Sequence, residues 1–104
     1  MSAKVNHGQA QALNSAGDDT STSMRCEGAD LGGVGVTASS GGSIKVEGSL
    51  EKASGEDWFE AVAATAVAAG DYVPIPNIGV FHNFRVVCTA GTATVRLATM
   101  DKDR

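Results

Sequence analysis

A strict alternation of apolar and polar side chains over residues 43–50 constrains the fold of this chain more than any other sequence feature. Ile44 and Val46 share one side of an extended backbone, and Lys45 and Glu47 share the other. A period of two is typical of an antiparallel strand with one face on a core and the other in water. The stretch therefore predicts a half-buried strand in an all-β protein.

A second strand-rich stretch lies near the end of the sequence. Two runs of β-branched, aromatic and aliphatic residues, 84–89 and 92–99, flank the dipeptide Ala90-Gly91. A short turn with glycine between two such runs is typical of a β-hairpin. Residues 39–42, Ser-Ser-Gly-Gly, predict a loop. Several short strands with glycine-rich turns between them predict an antiparallel β-sandwich or jelly roll.

Residues 54–69 are compatible with two interpretations. Ser54 and Asp57 have the spacing of a helix-capping pair, and the alanines that follow favour a helix. Gly55 within the first turn argues against the helix, and Trp58 onward also fits short strands. Strand and helix both stay open here.

Residues 72–76 contain Pro74 and Pro76. Because proline cannot donate a hydrogen bond to a strand ladder, this segment is expected at a sheet edge or in a crossing.

The length of 104 residues fits one domain. Residues 1–16 are polar and small, and they predict an extended N-terminal arm with little core of its own. The β domain is expected over residues 17–100, followed by a charged tail at 101–104. Val5 and Leu13 are the large apolar residues of the arm, and they are expected to contact a neighbouring subunit.

The charge pattern argues against a nucleic-acid partner, because the net charge is −4 and the eight lysines and arginines are scattered. A membrane partner is also not expected. The longest uncharged apolar run, residues 61–70, is too short to span a bilayer. The N-terminal residues lack the apolar centre of a signal peptide, so we expect a protein made in a cytoplasm.

No catalytic, cofactor-binding or metal-binding residues are expected, and the chain is not predicted to be an enzyme. The acidic pairs Asp18-Asp19 and Glu56-Asp57 lie in turn-like contexts, where short polar side chains bond to their own backbone. The glycine-rich residues 28–35 lack the Lys-Ser/Thr ending of a phosphate-binding loop.

Cys26 and Cys88 do not have the spacing of a zinc site. Two buried thiols, a disulfide and a reactive thiol all remain open for this pair. His82 is expected to be structural, whereas His7, on the arm, is a candidate for an interchain contact. Trp58 is expected in the core, with an interface contact or stacking on a sugar ring as the alternatives.

Part of the chain, residues 44–99, resembles a small β-sandwich domain of tailed-bacteriophage structural proteins. The resemblance rests on Val-Glu-Gly-Ser at 46–49, Trp58, Gly-Asp-Tyr-Val at 70–73, and the pattern Arg-Val-x-x-Thr-x-Gly-Thr-x-Thr-Val at 85–95. The Ala-rich middle segment and its two prolines depart from that pattern.

The resemblance implies a capsid decoration (cement) protein on the virion surface, assembled in the host cytoplasm. Its implied partners are the shell of the major capsid protein and further copies of itself, as a homotrimer, with arms lying on the shell. Val5, His7, Leu13 and Trp58 are the candidate partner contacts. The alternatives are a phage tail, fibre or receptor-binding component and a carbohydrate-binding β-sandwich module.

Overall fold

The computed structural model describes residues 4–50 and 57–101. Their seven strands form one antiparallel sheet, without an α-helix in this part of the chain. The strands are β1 (Lys4–His7), β2 (Gln11–Asn14), β3 (Met24–Arg25), β4 (Leu31–Ser49), β5 (Trp58–Ala66), β6 (Tyr72–Pro74) and β7 (Asn83–Asp101), with a 3₁₀ turn at Ile78–Val80. The all-β, antiparallel, single-domain prediction is confirmed. The sandwich or jelly-roll arrangement stays a prediction.

The two long strands, β4 and β7, pair with each other and form the centre of the sheet. One side of β7 also pairs with β1, β2 and β3, and the far side of β4 pairs with β5 and β6. A straight strand of this length would span about 60 Å. The longest dimension of the molecule is only 41 Å, so both strands must bend.

The bend lies where Gly41 of β4 meets Gly91 of β7. Each of these glycines has a φ of 58°, and the pairing shifts register between Ser40 and Ser43. A Cβ atom on Gly91 would collide with the carbonyl oxygens of Ser40 and Gly41. Only glycine adopts this left-handed conformation without strain, so the bend depends on a glycine in both strands.

The bend divides the ladder into two parts. The first half-ladder pairs residues 31–40 of β4 with 92–100 of β7, and the second pairs residues 43–49 with 83–90. On β7 the buried positions are even-numbered before the bend and odd-numbered after it, so both halves contribute to one core. The core side chains with almost no exposure are those of Val34, Ile44, Val46, Ile78, Phe84, Val86, Val95 and Leu97.

The predicted hairpin at Ala90-Gly91 is wrong. The two flanking runs belong to the single strand β7, and each pairs with β4 rather than with the other. A two-residue hairpin turn of the Asn-Gly type needs positive φ at both central residues. Only Gly91 has it here, which produces a bend. The predicted loop at residues 39–42 is likewise part of β4, around Gly41.

The ambiguous segment is resolved in favour of a strand, since Trp58–Ala66 forms β5; residues 54–56 lie outside the described part. The edge position expected from the prolines is confirmed. Pro74 ends β6, which pairs only with β4.

The N-terminal segment differs from the expected arm. Residues 4–7 and 11–14 pair with β7, and Leu13 is only 4% exposed, opposite Ala93 in the core. The Leu13 side chain is therefore buried by residues of its own chain. Asp101, expected in the tail, pairs with Lys4 in the sheet, and residues 102–104 lie outside the described part.

Candidate interaction surfaces

The outer side of the first half-ladder carries large apolar side chains that face solvent. Val5, Met100 and Leu31 lie side by side on three adjacent strands. Ala98 is in the next row, and the Tyr72 ring lies over Gly33. We call this set the apolar face: Val5, Leu31, Tyr72, Ala98 and Met100. It surrounds a shallow hollow of about 170 Å³.

Three of the five residues of the apolar face are more than half exposed, and Ala98 and Met100 are partly buried. The exposed fractions are 51% for Val5, 54% for Leu31 and 59% for Tyr72. Single exposed apolar residues are ordinary on protein surfaces, whereas contiguous apolar patches mark interaction sites. The apolar face is a contiguous patch, so it is a candidate docking surface.

An unpaired cation lies at the rim of the apolar face. Arg96 precedes Ala98 by two positions on β7 and lies opposite Gly35, which in turn pairs with Tyr72. Its Nε donates to the carbonyl oxygen of Gly8 at 3.0 Å. Within the described residues no carboxylate lies within ion-pair distance of Arg96, unlike Arg25, Lys45 and Arg85.

The outer side of the second half-ladder carries charged side chains that pair with one another. Glu47 accepts a hydrogen bond from Arg85 Nε at 2.9 Å, and Lys45 Nζ lies 3.4 Å from the same carboxylate. The Arg85 guanidinium stacks on the Trp58 ring, 4.0 Å from its centre. The Glu47 side chain is only 15% exposed. The Glu47 carboxylate therefore pairs with two cations on the outer side of the second half-ladder.

Trp58 has one group that the described residues leave unsatisfied. Its indole Nε1 is buried, and no hydrogen-bond partner for it lies among residues 4–50 and 57–101. Its ring packs under Arg85, so Trp58 is a partly buried member of the charged network.

A second exposed surface lies where β4 ends and β5 begins. Leu50 follows β4, and Asp57 precedes β5, beside the pairing of Ser49 with Trp58. Leu50 and Phe59 are half-exposed, and Asp57 and Glu60 are exposed. Phe59 lies opposite Gly48, whereas Glu60 lies opposite Glu47 on the outer side of the sheet, so the two side chains point to opposite faces. We call Leu50, Asp57 and Phe59 the acidic end surface. No cation pairs with Glu60 within the part of the chain that the structure describes.

The free strand edges are unsuited to pairing with another strand. The pairing of β5 with β4 shifts register twice, and β6 contains Pro74. The other side of β7 is lined by three short, interrupted strands. Bulges, prolines and short edge strands are the devices that prevent edge-to-edge association. Contacts with other chains are therefore favoured through side chains of the two exposed surfaces rather than through added strands.

A small polar cluster lies beside the 3₁₀ turn. Glu27 lies 3.0 Å from His82 Nδ1 and 3.1 Å from Arg25, whose side chain is 78% exposed. A hollow of about 150 Å³ is lined by these three residues and Asn83. Within the described residues no group of three or more potential metal ligands comes together.

Both cysteines are buried and free, so the structure contains two separate thiols rather than a disulfide. The Cys26 thiol lies 3.4 Å from the carbonyl oxygen of Phe81, and burial raises its pKa to about 12. A thiol with such a pKa stays protonated at neutral pH, which argues against a reactive Cys26.

The four predicted contact residues do not form one site. Val5 belongs to the apolar face, and His7, opposite Ala98, is exposed beside it. Leu13 lies in the core, and Trp58 lies on the other half-ladder. Sequence reasoning missed Leu31, Tyr72, Met100 and Arg96, because only the register of four strands brings them next to Val5.

No helix in the described residues is long and apolar enough to cross a membrane. Comparisons of the chain with protein-family models, with curated proteins and with solved structures found no match.

Proposed function

We propose that this chain is a virion structural protein that decorates a tailed-phage capsid, binding the shell of the major capsid protein as a homotrimer. The observation that carries the proposal is the exposed apolar surface of a small domain with a complete core. Val5, Leu31 and Tyr72 on the apolar face and Leu50 and Phe59 on the acidic end surface are each about half-exposed or more. The strand pattern of residues 44–99 adds the phage context.

Such a protein acts by adding contacts that only the assembled shell provides. Burial of apolar area stabilises the complex by roughly 25 cal/mol for each Å² removed from water. A ligand that binds the assembled state and not its separated parts shifts the equilibrium toward assembly. A trimer holds several such contacts at once, so weak contacts of each copy combine into strong binding.

The test uses heads of tailed phages that have been stripped of their own decoration protein. We expect the protein to sediment with these heads at a saturating, fixed number of copies per shell, and to raise the temperature at which they release DNA. Heads that retain their own decoration are the control, because their sites are already occupied. Failure to bind any head in a broad panel would contradict the proposal, as would selective binding to a glycan array.

A further inference from the structure

We infer that residues 4–14, which contain β1 and β2, form an exchangeable segment that leaves its own β7 and pairs with β7 of a second copy of this chain. The inference deepens the proposed function, and it rests on that function for the crowding of copies that exchange requires. The acceptor is the side of β7 away from β4, and the donor is the exchangeable segment of the neighbouring copy.

The exchangeable segment lies at the periphery of the fold. Of residues 5–14, only Leu13 is buried. Both of its strands pair with β7 alone, and within the described residues its other hydrogen-bonded link across the fold is the Gln11 side chain, which accepts from Thr22. Detachment therefore uncovers one large core side chain and leaves β4 paired with β5, β6 and β7. Segments with so few buried apolar contacts open locally, without global unfolding.

An exposed turn joins the exchangeable segment to the rest of the chain. Residues 14–18 are all exposed, and Gly17 has open space around it. The N–H of Asn14 donates to the carbonyl oxygen of Asp18 at 2.9 Å, which closes the turn on itself. Short loops of this kind act as hinges, because they absorb a large change of backbone angles. Extension of the turn would direct the segment away from its own β7 toward a neighbour.

Detachment opens a strand edge that a second copy fits in register. The uncovered residues 92–101 of β7 present unpaired backbone groups, and such an edge pairs readily with a strand of another chain. Leu13 enters the core opposite Ala93, and Asn6 donates to the Thr99 hydroxyl at 3.3 Å. A second copy has the same side chains at the same spacing, so these contacts re-form between copies. Exchange replaces a strand and adds none, so the bulges of β5 do not oppose it.

The local concentration of copies decides between the closed and the exchanged forms. Both forms have the same strand pairings, so they differ in the turn and in the entropy lost on association. A shell that holds copies side by side raises their effective concentration and favours exchange. Reciprocal exchange closes a dimer, and exchange around a ring closes a trimer. Val5 of one copy then lies beside Met100 and Leu31 of the next, so each apolar face is built from two copies.

The test mixes two variants of the full chain, each with one added cysteine, and oxidises the mixture. Ala12 on β2 lies opposite Thr94 on β7, and neither is buried. Chains with Ala12→Cys are mixed at high concentration with isotope-labelled chains that carry Thr94→Cys. We expect disulfide-linked pairs of unlike chains to exceed linked pairs of like chains about tenfold or more, because exchange holds unlike cysteines opposite each other at a high effective concentration. Non-reducing electrophoresis and mass spectrometry count the pairs.

Ala38 provides the matched control, since it lies opposite Thr94 on β4, across the ladder that is not exchanged. Mixtures of Ala38→Cys chains with Thr94→Cys chains should give no excess of unlike pairs. Both native cysteines are buried and are the same in every variant. Circular dichroism checks that each variant keeps the β fold. No excess of unlike pairs from the Ala12 and Thr94 variants, or an equal excess from the Ala38 control, would overturn the inference.

A locked variant tests whether exchange builds the oligomer. A chain with both Ala12→Cys and Thr94→Cys, oxidised in dilute solution, has the exchangeable segment fixed to its own β7. Light scattering should show that it stays monomeric at concentrations where the reduced form of the same chain forms oligomers. Equal oligomerisation of the oxidised and reduced forms would contradict the exchange.

The two proposals fail separately. If the unlike chains are linked as expected but the protein binds no stripped phage head, the exchange stands and the proposed function falls. If the protein binds stripped heads but gives no excess of unlike pairs, in solution or on the heads, the proposed function stands and the exchange falls.

Discussion

The two half-ladders are built from the same two strands, yet their outer sides have opposite characters. In the second half-ladder, Glu47 pairs with Lys45 and with Arg85, which stacks on the Trp58 ring, so the outer side carries paired charges. In the first, Leu31 and its neighbours face solvent with nothing over them. The comparison teaches that one pair of strands can carry an ion-paired outer side at one end and an exposed apolar outer side at the other.

The joint between the half-ladders should be the most sensitive position in this comparison. We expect Gly91→Ala to cost about 3 kcal/mol of unfolding free energy, because the new Cβ meets backbone oxygens at a left-handed φ. The matched control is Gly35→Ala on β4, which has open space around it and no positive φ. Urea unfolding measures both variants. Equal, small effects would show that the two half-ladders do not depend on this bend.

Removing the carboxylate at the centre of the charged network on the second half-ladder should lower the unfolding free energy more than removing the carboxylate of the exposed Glu27 cluster. We expect Glu47→Ala to cost about 2 kcal/mol, because it leaves the half-buried Arg85 without its acceptor. Glu27→Ala is the matched control, since Glu27 also contacts two basic side chains, Arg25 and His82, but in a more exposed setting. Its cost should stay below about 1 kcal/mol. Thermal and urea unfolding at low and high salt measure the difference.

Truncating a side chain on the outer side of the first half-ladder should have almost no effect on the unfolding free energy. We expect Leu31→Ala to change the unfolding free energy by less than about 0.5 kcal/mol in dilute solution, since the side chain is exposed. Leu97→Ala, on the inner side of the same half-ladder, should cost about 2–5 kcal/mol. A large loss of unfolding free energy from Leu31→Ala would mean that the apolar face already stabilises the single chain, without a partner.

The sequence predicts the strands of this fold better than it predicts their connections. The alternation around Ile44 and Val46 depends only on neighbouring residues, and it identifies the buried face of β4 correctly. Glycines at turns and at bends have the same local signature. Gly91 therefore predicts a hairpin turn, although the same residues also fit a long strand that bends together with its partner strand.

The candidate surfaces could not be predicted from the sequence for a different reason. Val5, Leu31 and Met100 lie far apart in the chain, and only Val5 stands out in its own segment, as a large apolar residue among polar ones. Only the register of β1, β7 and β4 places them in one row. Leu13 shows the reverse case, because a polar surrounding sequence conceals a core residue whose partner, Ala93, lies on β7.

The pairing of β1 with the C-terminal residues of β7 has a consequence for biosynthesis. Lys4 meets Asp101 in the sheet, so the first described strand has no partner until the last one has been translated. Contacts so distant in sequence make folding slow, because a long loop must close before they form. Because the row from Val5 to Leu31 needs β7 between them, an unfinished chain cannot display that surface.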